Sequence, residues 1–92
     1  MQTLEMLEAL LDLARAGELE VRRAPVGGDG TVLQSSTCRV RNRVFVVLCD
    51  GDPLELQIDV LAAAIRVHAK QVLEAGYLPP AVRERVAGDA FE

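Results

Sequence analysis

Leu4, Leu7, Leu10, Leu11 and Ala14 recur at steps of three and four residues, a single apolar stripe of helical period. The spacing predicts a helix over 3–16. Thr3 is placed to cap its free amides, Glu5 sits in the first turn and Arg15 in the last, where each complements the helix dipole. Gly17 is expected to end it in the left-handed conformation.

At Glu18 the period changes from helical to two. "ELEVRRAP" puts Leu19 and Val21 on one face of a strand and Glu20 and Arg22 on the other, and Pro25 stops it. "GGDG" (27–30) reads as a turn or short loop. No helix follows it and the nearest downstream base is Arg39, so it does not read as a phosphate cradle. "TVLQSSTCRV" (31–40) predicts a second, polar strand, and "RVFVVLC" (43–49) a third with strong β propensity. Arg41 and Asn42 between them predict a tight hairpin, because asparagine tolerates positive φ. That register sets Val40 opposite Arg43 and Cys38 opposite Phe45, which leaves Cys38 and Cys49 too far apart for a disulfide.

The stretch from Asp50 to Gly76 predicts one long helix. Asp52 is expected as its cap, Pro53 as its first residue, Glu55 as the capping-box partner and Gly76 as its end. Leu54, Ile58, Leu61, Ile65, Ala69 and Val72 form the main stripe, and Leu56, Val60 and Val67 a second. A short helix near Pro80 follows, with 86–92 expected as a frayed tail. The order is α-β-β-β-α in a single α+β domain spanning 1–92. The simplest arrangement is a three-stranded antiparallel meander with the two main helices on one face and a short C-terminal helix.

That arrangement contains a conflict. A meander puts the third strand at an edge, yet Val44, Val46 and Leu48 on one side and Phe45, Val47 and Cys49 on the other are all apolar. Cover for both sides can come from a permuted strand order, a helix folded over the second face, or a second subunit or partner protein. A 92-residue chain is marginal in size and gains stability from association. The expected function is therefore a small protein-binding or homodimeric interaction module of adaptor, inhibitor or immunity type. Its contact would be carried by Val44, Phe45, Val46 and Leu48 with Arg41 and Arg43 at the rim. On that reading Val46→Asp lowers the apparent mass without unfolding the chain.

Charge narrows the rivals. Fourteen acids against ten bases give a net charge of −4, without the general attraction to phosphate that non-specific nucleic-acid binders use. A local arginine surface of Arg22, Arg39, Arg41 and Arg43 is the alternative, binding nucleic acid or phosphate. With three aromatic residues, Phe45, Tyr77 and Phe91, it has few stacking platforms. A third reading, a small enzyme or metal site, pairs His68 with Cys49. Neither Cys38 nor Cys49 has a ligand at the close spacing of structural metal sites, and Asp50 and Asp52 sit in a loop too short for calcium. No catalytic residue, metal or cofactor is assigned. No run is apolar enough for a membrane span, and the first residues are acidic where a secretion signal is basic, so a cytoplasmic protein is expected.

Overall fold

The computed structural model describes residues 2–24, 34–74 and 78–87. Helix α1 (Thr3–Ala16) is followed by strands β1 (Glu20–Ala24), β2 (Ser36–Val40) and β3 (Arg43–Cys49). Helices α2 (Leu54–His68), α3 (Gln71–Glu74) and α4 (Pro80–Ala87) complete an α+β chain. The "GGDG" loop, Pro25 and Gly76 lie outside the described residues. No described helix is long and apolar enough to cross a membrane.

The sheet order is β1-β3-β2, so the meander is replaced by a mixed sheet. β3 runs parallel to β1, with Val21 beside Val46, and antiparallel to β2, with Thr37 beside Val46. The strand that is apolar on both sides thus takes the centre, and Ser36, Thr37 and Cys38 of the more polar β2 go to an edge. A central strand has both edges hydrogen-bonded and both faces crowded by neighbours, the setting in which a continuous apolar run is stable. The backbone ladder between β1 and β3 continues past the strands through Asp50 N–H to Ala24 O at 2.8 Å.

Among the described residues, the sheet side chains that join the helix core lie on one side. Val46 and Leu48 are 0% exposed and join Leu7, Leu10, Ala14, Ile58, Leu61, Ile65 and Val82 in one core, with Val21 and Val44 packed against it. Leu7, Leu10 and Ala14 are the buried residues of the α1 stripe; Leu4, one turn earlier, is exposed. On α2 the main stripe is buried from Ile58 to Ile65, whereas Val67 of the second stripe faces solvent.

The end of α1 differs from expectation in an instructive way. Gly17 has φ −89° and is not left-handed; Glu18, at φ 60°, is. Glu18 N–H donates to Arg15 O at 3.0 Å and Leu19 N–H to Ala14 O at 2.8 Å, the bond pair of a Schellman motif with glutamate in the glycine position. Buried Leu19 and Ala14 supply the apolar contact that accompanies that motif. Gly17 is needed for space instead. A Cβ there would lie 2.8 Å from Ala69 Cβ and 3.0 Å from Val72 Cγ1. The long helix expected over 53–76 breaks at this same contact. Ala69, fully buried, leaves helical geometry at φ −135°, ψ 38°, and α3 then brings Val72 over Gly17.

Gly17→Ala therefore separates two accounts. Conformation alone predicts a gain of about 0.5–1 kcal/mol, since φ −89° suits alanine. Overpacking costs about 1–3 kcal/mol. The expected net loss is about 1–2 kcal/mol in urea unfolding, smaller when Ala69→Gly is added.

At the C-terminal end α4 runs through Ala87, two residues into the expected tail. Val86 is buried within α4, and residues 88–92 lie outside the described part. Arg85 fastens α4 to α2 by reaching Glu55 at 2.6 Å and Asp59 at 2.7 Å, carboxylates one turn apart. Those bonds raise its already high pKa, burial opposing them. Arg66 adds a bond from Nη1 to Val86 O at 2.6 Å.

Candidate interaction surface

The hairpin that shapes the surface is the one expected. Arg41 and Asn42 have φ 51° and 69°, positive at both central positions as a type I′ turn requires. Val40 pairs with Arg43 and Cys38 with Phe45. Paired residues in a sheet point to the same side, so two faces follow directly from the register. Val21, Arg23, Thr37, Arg39, Val44, Val46 and Leu48 face the helices. Glu20, Arg22, Ser36, Cys38, Val40, Arg43, Phe45, Val47 and Cys49 form the outer face.

Near the hairpin the outer face carries a shallow groove of about 270 Å³, lined by Glu20, Arg22, Val40, Arg41, Arg43 and Phe45. Its floor is apolar: Val40 is 53% exposed and Phe45 is half-buried. Arg22 lies over the Phe45 ring with its guanidinium carbon 4.6 Å from the centroid, and its Nε donates to Glu20 at 2.6 Å. Glu20 also meets Arg43 at 3.6 Å, where the arginine side chain is 81% exposed and the pair is loose. One carboxylate thus joins two guanidinium groups. Exposed pairs of this kind contribute about 0–1 kcal/mol each, so they orient the side chains more than they stabilise the fold.

The six residues expected to carry an interface divide. Val46 and Leu48 lie inside the core, and Val44 faces the helices, half-buried against the same cluster. Phe45, Arg41 and Arg43 reach the groove. Val46→Asp is accordingly expected to unfold the chain instead of separating subunits. The arginines divide as well. Arg22 and Arg43 share the outer face and Arg41 is at the turn, but Arg39 pairs with Val44 on the helix side. Arg23, also on that side, is bonded to Asp50 by Nε at 3.1 Å and Nη2 at 2.9 Å.

Two groove residues were not singled out from sequence. Val40 carries the largest exposed apolar surface of the sheet, and Glu20 joins two of the arginines. The signal for Val40 was the hairpin itself, since pairing with Arg43 assigns it to the arginine's face.

The "CDGDP" loop holds a second cluster, and its bonds are structural. Asp52 does not cap α2: the helix starts at Leu54, and no side chain bonds its first amides. Its carboxylate instead accepts Ser35 N–H at 2.7 Å and Ser35 Oγ–H at 2.8 Å. Ser35 Oγ in turn accepts Cys49 N–H at 2.9 Å. Gln57 Nε2 donates to Asp52 O at 2.9 Å, while Gln57 Oε1 is buried with no hydrogen-bond partner among the described residues. These contacts tie the start of β2 to the end of β3. Burial, then the Asp52 and Asp50 carboxylates, push the Cys49 thiol up, with the Ser35 bond opposing. The protonated, buried thiol is a poor nucleophile.

His68 is exposed and ends α2, whereas Cys49 lies just before its beginning. Fifteen residues of helix separate the two by about 20 Å, beyond the reach of either side chain. Among the described residues no three of His, Cys, Asp and Glu converge where a metal ion would be held. Comparison with protein families, with curated proteins and with solved structures finds no match to this chain.

Proposed function

We propose that this chain is a protein-interaction module that receives a short segment of another protein on the outer sheet face. One observation carries the reading: exposed Val40 and half-buried Phe45 form an apolar floor on the side opposite the helix-packed core. Scattered exposed apolar residues need no explanation, but these two adjoin and are bordered by charged side chains, the layout of a small contact site.

Size argues for a segment over a second subunit. Three strands of about five residues give a face of roughly 14 by 17 Å, near 250 Å². A stable pair of folded proteins buries about 800 Å² on each side. A second copy placed here lacks most of that area, and β3 no longer calls for one, since Val46 and Leu48 are covered within a single chain. Nucleic acid fits less well. Arg39 faces away from Arg22 and Arg43, Glu20 stands between those two, and Phe45 is the one aromatic ring lining the groove among the described residues.

Selection of a displayed random-peptide library on the wild-type chain tests the reading. The expected result is an enriched motif whose synthetic peptides lose about tenfold in affinity to Val40→Asp, the worth of one well-buried valine. Equal binding to Val40→Asp, or no enrichment, contradicts it.

A further inference from the structure

Resting on that reading, we infer that the bound segment is acidic, with carboxylates beside Arg41 and Arg43 and an apolar side chain against Val40 and Phe45. Charge complementarity is the first ground. The groove is lined by three arginines and one glutamate in a chain of net charge −4, so it is a basic spot on an acidic molecule. An acidic segment is drawn to this spot and repelled by much of the remaining surface, which favours one docking position.

The second ground is which guanidinium groups are already engaged. Arg22 is held by the Phe45 ring and by Glu20. Arg43 is loosely held by Glu20 and largely exposed, and Arg41 makes no ion pair among the described residues. Two arginines beside an apolar floor thus have donors to offer. Both suit carboxylates, because the planar guanidinium matches them with two parallel bonds.

The third ground is the backbone. Arg41 occupies φ 51°, where a side chain other than Gly, Asn or Asp costs about 1–2 kcal/mol. The turn alone is better served by Asn-Gly or Asp-Gly. At a groove rim that conformational cost is offset when the side chain binds a ligand, which is the role inferred for Arg41.

The same library selection tests the inference, read by the charge of the enriched peptides. Wild type is expected to enrich acidic peptides containing an apolar residue. The variant carrying Arg41→Glu and Arg43→Glu is expected to reverse the preference to basic peptides, because both positions are exposed and the fold is not engaged. Acidic peptides from the wild-type selection should bind this variant at least about tenfold more weakly, with steeper salt dependence in the wild type. Peptides of no consistent charge that still require Val40 overturn the acidic inference and leave the interaction module standing. Peptides indifferent to Val40→Asp remove the module as well. A labelled single-stranded oligonucleotide that binds wild type at physiological salt and is released by the double charge reversal also overturns the inference, and assigns the arginines to phosphate.

Discussion

Val46→Asp is expected to leave no folded population in buffer at room temperature. Val46 is 0% exposed at the middle of the central strand, flanked by Val21 and Thr37, with the helix core above it. An aspartate there loses the valine's buried apolar surface and must either bury a charge without a partner or take up a proton. Changes of that kind exceed about 4–5 kcal/mol. A domain of this size has about 5–14 kcal/mol in total, with the small ones at the low end. Val40→Asp, three pairs along on the exposed face, should change stability by about 0.5 kcal/mol or less. Circular dichroism of the two variants reads the contrast. A folded Val46→Asp protein of lowered apparent mass would return β3 to the role of an interface strand.

The second large effect is expected at Ser35. It is 2% exposed, and its hydroxyl both donates to Asp52 and accepts from the Cys49 amide. Ser35→Ala removes a charge-assisted bond and leaves a buried amide at the end of β3 unsatisfied, a combined loss of about 2–4 kcal/mol. The bond from Ser35 N–H to Asp52 remains possible, so the loop weakens without being released. Urea unfolding measures the loss, and faster hydrogen exchange at the Cys49 amide locates it. A loss under about 1 kcal/mol would mean that the amide finds another acceptor and that the knot is dispensable.

Local features with a strong period or a specific turn chemistry are legible in the sequence alone. The span of α1, the residues of β3, the Arg41–Asn42 turn and the pairing of Val40 with Arg43 all follow from short-range steric and hydrogen-bond preferences. What escaped depends on contacts distant in sequence. Pro53 and Glu55 after Asp52 predict a capping box, but Ser35, seventeen residues earlier, takes the carboxylate. Gly17 after a helical stripe predicts a left-handed cap, since glycine often is one; the close approach of Ala69 and Val72 leaves no trace in its sequence neighbours. The break at Ala69 has the same origin.

Strand order lay between these cases. The doubly apolar pattern of β3 was visible and pointed to cover on both sides, with a permuted order among the ways to supply it. Sequence alone did not choose, because a central position and a subunit interface impose the same demand on side chains. The groove was half legible for a related reason. Phe45, Arg41 and Arg43 stood out by composition, while Val40 and Glu20 became members only through the register that brings three strands together.

The centre of the account is that one chain covers β3 unaided, and sedimentation equilibrium from micromolar to millimolar concentration tests it most directly. The expected result is a folded species of 10.0 kDa throughout. A dimer whose secondary structure disappears as dilution separates it would contradict the account, because the central strand would then need a second copy to stay dry.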